Sequence, residues 1–256
     1  DLKYEDLFTS EPKPAIKGMN RIERQWLQIN HRTNSTNKDE YIDSKLFQEM
    51  KEWNYPLHFI DFETSMVAIP FNKGRRPYEQ IAFQFSCHTL YENGNVKHHE
   101  WISNENSFPN YDFVFNLRKI LNNDNGTIFK YSNHENTVLR QIYRQIKFEK
   151  NQIELFESNG LTNDNILGWI DSITNWDHKN DKGKKERIRG NRDMVDLLKC
   201  VKMYYYHPMM RGSNSIKQVL PTILNVSEYL QTKYLSPLEF GINLKNMVII
   251  DILSDK

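Results

Sequence analysis

Two carboxylates stand one residue apart in the stretch Tyr55-Pro56-Leu57-His58-Phe59-Ile60-Asp61-Phe62-Glu63-Thr64. Leu57 to Ile60 is a short run of β-forming apolar residues opened by Pro56, and it reads as a strand. Residues i and i+2 of a strand point to the same face, so Asp61 and Glu63 project side by side. Like charges at that spacing repel, and a cation between them relieves the repulsion. An oxygen-only donor set favours Mg²⁺ or Mn²⁺ over zinc. The bland alternative is an acidic strand end in solvent, and the apolar strand that feeds straight into the pair is what speaks against it. A third carboxylate, Glu135, follows the apolar stretch Thr127 to Tyr131 and the polar turn Ser132-Asn133-His134. Strand, turn and helix in that order place Glu135 at a strand's carboxyl end, where open α/β sheets carry their sites.

The elements that must position these groups follow from periodicity and punctuation. Residues 1–54 read as an extension, with one helix around Asn20 to Asn30 and a second from Lys45 to Trp53, capped by Ser44. Ile81 to Leu90 is a second strand, Glu92-Asn93-Gly94-Asn95 a hairpin signal, and Val96 to Ile102 a third strand. Tyr111 to Leu121 reads as a helix that leads into a fourth, buried strand, Thr127 to Tyr131, delivered in parallel. Glu135 to Phe148 carries Val138, Leu139, Ile142, Tyr143 and Ile146 at helical spacing. A further helix is expected within Leu161 to Trp176, and Ser215 caps another from Ile216 to Leu224. The stretch 177–192 is basic and apolar only at Ile188. It is either a solvated or disordered insertion, mobile and dispensable for folding, or a basic flap over a phosphate backbone.

Composition narrows the classes. The formal net charge of +1 over 256 residues excludes a global basic field, so any nucleic-acid contact must use local patches. Mean hydropathy is low at −0.73. The 14 Phe, 13 Tyr and 5 Trp nevertheless supply enough buried area for a core. The two cysteines, Cys87 and Cys200, are far apart and in no metal-ligand spacing, which points to a reduced, cytoplasmic protein. No run approaches the roughly 18 apolar residues of a membrane span. The chain opens on Asp rather than Met and reads as a piece of a longer protein.

Hairpin-linked strands, then strand–helix units, with carboxylates on the first strand and at a later strand–helix junction, resemble the ribonuclease H-like nucleases. Asp61-Phe62-Glu63-Thr64 resembles the first motif of the DEDD 3′-5′ exonucleases. Tyr131 to Leu139 resembles their second, with Glu135 in place of the usual Asp. More closely, the chain resembles the bacterial family of domain of unknown function 2779. The matching stretches are Tyr55 to Thr64, Pro77-Tyr78 with Phe83 to Ser86, Tyr131 to Leu139, Met194 to Leu198, and Tyr205-Tyr206-His207-Pro208 through Gly212-Ser213 to Ser215–Pro221. Members often carry a RecB-like nuclease segment upstream. The resemblance implies an α/β, ribonuclease H-like mixed sheet flanked by helices over residues 55–256, with the 177–192 stretch as an insertion.

It also implies a metal-dependent 3′-5′ exonuclease acting on single-stranded 3′ ends of DNA or RNA, with no membrane involved. Nucleases of this kind bind two metal ions at the carboxylate cluster; Asp61, Glu63 and Glu135 would hold Mg²⁺ or Mn²⁺, and Thr64 and Asn133 would contact the terminal nucleotide. The third exonuclease motif, an Asp preceded by a Tyr or His base, is not found before Lys256. Asp251 lies in an apolar run without matching neighbours. Asp196 fits the Asp-Leu position after the second motif, as the remaining carboxylate or as a salt-bridged structural acid. His134 is either a substrate contact or a loop histidine. Lys217, with Arg211 at the helix start opened by Ser215, is either a phosphate seat or a surface charge. Phe62, Phe71 and Tyr78 either stack bases or pack in the core. The alternative function is a non-catalytic nucleic-acid-binding module of the same fold.

Overall fold

The computed structural model describes residues 12–13, 15, 18–33, 40–149 and 151–235; Asp251 lies outside them. In chain order the elements are α1 (Arg21–Thr33), β1 (Tyr41–Ile42), α2 (Lys45–Met50), β2 (Leu57–Ser65), β3 (Ile81–Leu90), β4 (Val96–Ile102), α3 (Asn110–Leu121) and β5 (Ile128–Lys130). They continue with α4 (His134–Phe148), α5 (Glu154–Glu157), α6 (Asn163–Ile173), β6 (Asn175–Lys179), β7 (Lys185–Arg189) and β8 (Val195–Asp196). The last are α7 (Leu197–Tyr204), β9 (Tyr205–Tyr206), α8 (Ile216–Val226) and α9 (Glu228–Leu235). Among the described residues no helix is long and apolar enough to cross a membrane.

Packing divides the described residues into two compact units, those of 49–197 and those of 12–48 with 198–235. The sequence-based boundary after residue 54 had kept the C-terminal stretch with the main domain. Two features hold 198–235 to the N-terminal stretch instead. Tyr41 and Ile42 pair antiparallel with Tyr206 and Tyr205, and the Arg24 guanidinium donates to the carbonyls of Val201, Lys202 and Tyr205 at 3.3, 3.2 and 2.7 Å.

Unit 49–197 is built on a five-stranded mixed sheet of order β4-β3-β2-β5-β8. β2, β3 and β4 are antiparallel neighbours, whereas β5 runs parallel to β2, and β8 parallel to β5. The chain is thus α/β, a mixed sheet flanked by helices. β2 alternates: Ile60 and Phe62 are buried while Asp61 and Glu63 are exposed. Phe62 meets Phe113 of α3 edge-on at 4.8 Å between centroids, and Phe113 in turn contacts Phe85 and Trp101. This aromatic cluster fixes the inward face of β2 and thereby turns both carboxylates outward. Phe62 is therefore core, while Phe71 and Tyr78 are 72% and 68% exposed.

The stretch expected as a solvated or disordered insertion forms the β6–β7 hairpin, paired from Asn175↔Arg189 to Lys179↔Lys185. Ladder hydrogen bonds and turn chemistry replace the apolar periodicity the sequence lacks. Asn180 Oδ1 accepts from the backbone N–H of Lys182 and Lys184 at 3.1 and 3.0 Å, and Gly183 supplies φ +71°. At the hairpin's base, buried Asn136 of α4 brackets Asn175: its Nδ2 donates to the Asn175 carbonyl and its Oδ1 accepts from the Asn175 N–H, both at 2.9 Å. Asn136→Ala leaves that buried N–H without its partner, and a loss of about 2 kcal/mol is expected. A lower urea midpoint at unchanged slope is the expected measurement; an unchanged midpoint would show that the bracket carries no stability.

Candidate active site

The carboxyl ends of the three parallel strands β2, β5 and β8 gather most of the residues singled out in the sequence. β2 carries Asp61 and Glu63 on its outward face, past the point where it pairs with β5 at His58 and Phe59. β5 ends on Lys130, and Lys130 stands opposite Asp196 in the parallel register with β8. Between β5 and α4 the chain turns through Ser132, whose φ is +86°, a conformation a side chain rarely adopts. The turn is held from both sides. The Ser132 N–H donates to Asp196 Oδ1 at 3.0 Å, and its carbonyl accepts from the Lys130 ammonium at 2.5 Å. Asn133 then takes the N-cap position of α4, without a side-chain cap, and Glu135 falls in the helix's first turn.

Glu135 is 3% exposed, and its Oε2 is buried without a hydrogen-bond partner. Burial, and after it the Asp61 and Asp196 carboxylates, push its carboxyl up to about 7, against the pull of its own backbone N–H and the Lys130 ammonium. Asp61, Asp196 and Lys130 therefore share one electrostatic environment with Glu135. Glu63 lies on the same strand face as Asp61. Asp196 Oδ2 faces the Lys130 ammonium at 3.5 Å, with both side chains buried. Among the described residues, no group of three His, Cys, Asp or Glu side chains is gathered closely enough to hold a metal ion.

The other expected contact residues have different uses. His134 Nε2 is 3.4 Å from Thr64 Oγ1, which ties the end of β2 to the start of α4. Asn133 turns its amide to Thr137 Oγ1 at 3.1 Å, inside its own helix turn. Lys217 belongs to the other compact unit, where its N–H meets the capping Ser215 Oγ at 3.4 Å. Lys130 was not a sequence candidate; its signal was a lone charge inside an otherwise buried strand. Directly after β2, the loop 66–80 exposes Phe71 and Tyr78 beside Lys73 and Arg76.

The candidate donors have the chemistry of a hard cation's ligands. All are oxygens, and the orphaned Glu135 Oε2 in its buried, carboxylate-rich setting is a group that a cation would satisfy. Asp196, in contrast, already spends both oxygens on Ser132 and Lys130. The sequence profile of the family described as "Domain of unknown function (DUF2779)" matches residues 58–215, which hold every one of these groups. No curated protein and no solved structure matches the chain.

The raised Glu135 carboxyl gives the cation-free protein a pH signature. Between its ordinary value of 4.5 and about 7 the unfolded chain has lost this proton while the folded chain keeps it. Stability therefore falls as pH rises through that window and levels off above it. Thermal unfolding in EDTA from pH 4.5 to 8 should show this slope in the wild type and a shallower one in Glu135→Gln. Parallel curves would show that Glu135 titrates in the ordinary carboxylate range.

Proposed function

The chain belongs to the family of domain of unknown function 2779, and from the carboxylate site within the matched stretch we propose a metal-dependent 3′-5′ exonuclease of the ribonuclease H-like class. The buried, unpartnered Glu135 oxygen beside Asp61 carries this reading, because a carboxylate so placed is costly without a cation to receive it. The sheet supports it: an antiparallel hairpin half joined to parallel strands, with carboxylates on the first strand and at a strand–helix junction, is what the resemblance to those nucleases implies.

Asp61 and Glu135 would hold the ion, Mg²⁺ or Mn²⁺, with Glu63 on the same strand face. When bound, the ion supplies Lewis-acid stabilisation of the charge that builds on the phosphoryl oxygens during hydrolysis. The protein's own groups do the rest. Phe71 and Tyr78 offer exposed ring faces on which the bases of a single strand stack, and Lys73 and Arg76 give the same loop positive charge for phosphates. Thr64 and His134 stand together at the edge of the site, where the terminal nucleotide enters. Water then adds to phosphorus, and the bond to the 3′ oxygen of the preceding nucleotide breaks. The second reading is a non-catalytic nucleic-acid-binding module, favoured by the absence of a ready three-carboxylate cage among the described residues.

Digestion of end-labelled single-stranded DNA and RNA with Mn²⁺ separates the two. Shortening from the 3′ end is expected, abolished by EDTA and lowered about a thousandfold by Asp61→Asn, on the order of 4 kcal/mol of barrier. Binding without shortening in both Mg²⁺ and Mn²⁺ would leave only the binding module. A companion measurement reads the loop. Phe71→Ala and Tyr78→Ala should each weaken single-strand binding by about 1–3 kcal/mol, and unchanged affinity would remove the loop from the interface.

A further inference from the structure

We propose that the Lys130 ammonium occupies the second cation position of this site, so that the chain takes one divalent ion rather than two. The inference rests on the reading of a metal-dependent carboxylate site and specifies its stoichiometry. Lys130 ends β5 directly opposite Asp196 of β8, and its side chain is 1% exposed. The preceding residues of that strand, Ile128 and Phe129, are buried core. A lysine in such surroundings must be paired, and a strand position of this kind asks for Val or Ile unless the charge has a use. Its ammonium lies 3.5 Å from Asp196 Oδ2 and acts electrostatically on Glu135, so it serves carboxylates on both β8 and α4.

A divalent ion seated on Asp196 would stand against this ammonium in a buried setting, where like charges repel strongly. The two cannot share Asp196. The geometry agrees: Asp196 is turned to Lys130 and Ser132, and among the described residues no third carboxylate completes a metal cage. Asp196 is therefore a positioning residue that holds Lys130, and the ion belongs to Asp61 and Glu135. A fixed positive charge next to them also satisfies part of the carboxylate repulsion before any ion arrives.

Titration of the full chain with Mn²⁺, by calorimetry and by loss of the free-ion paramagnetic signal, tests this without nucleic acid. One Mn²⁺ per chain is expected. Asp196→Asn should keep that ion with affinity changed less than about threefold, while Asp61→Asn should weaken it more than about tenfold. Lys130→Met, which keeps much of the stem, frees Asp196 and should raise the count to two. Two ions in the wild type, a more than about tenfold loss in Asp196→Asn, or a folded Lys130→Met that still binds one would each overturn the proposal while leaving a metal-dependent enzyme standing. No Mn²⁺ bound by the wild type, or none lost in Asp61→Asn, would overturn the metal reading itself and this inference with it. If Lys130→Met fails to fold by circular dichroism, the wild-type count and Asp196→Asn decide.

Discussion

The carboxyl end of the sheet depends on one buried ion pair, Lys130 with Asp196. Each partner also binds Ser132, one through its carbonyl and one through its N–H. A non-glycine residue at φ +86° costs about 1–3 kcal/mol and persists only where its surroundings over-determine it. Here the pair does so from two strands at once. Ser132 lies between the end of β5 and Asn133, the residue before α4. Breaking one half of such a pair leaves an uncompensated buried charge, a loss of about 3–5 kcal/mol. The stability of the turn thus rests on these two side chains.

A second constraint acts from beneath. Phe62, between the two β2 carboxylates, is locked into the Phe113, Phe85 and Trp101 cluster. A strand cannot rotate about its axis without withdrawing that ring from the core, so the outward aim of Asp61 and Glu63 is a packing property. The bulge in the β2–β3 register between Glu63 and Thr64 then re-aims the strand's end, where Thr64 meets His134.

Much of this was legible in the residues, for physical reasons. Ile81 to Leu90 and Val96 to Ile102 were readable because the Gly94 turn separates them, and the structure gives the same bounds. β2 was readable from Leu57 because its apolar run leads straight into Asp61 and Glu63, and the strand extends from Leu57 to Ser65 with both carboxylates exposed. β8 left no periodic trace, since Val195–Asp196 is held by pairing to β5 across two residues. Asp196 was consequently visible as a carboxylate and not as the partner of Lys130. The hairpin was hidden for the opposite reason: apart from the paired Trp176 and Ile188, its strands are polar or charged and carry no apolar alternation. Pairing between distant stretches, such as Tyr41-Ile42 with Tyr205-Tyr206, has no local signature at all.

The Asn136 bracket on Asn175 has a mechanical meaning. Asn136 follows Glu135 in the first turn of α4, and its amide grips both backbone groups of the residue from which the basic hairpin springs. Across the hairpin's other root, Arg192 donates to the Gly126 carbonyl at 2.7 Å and pairs with Asp124 at 3.1 Å. The hairpin is thus a lever clamped at its fulcrum rather than a loose flap. Its two roots are thus pinned to α4 and to the loop before β5, and the pin on α4 sits one residue from Glu135.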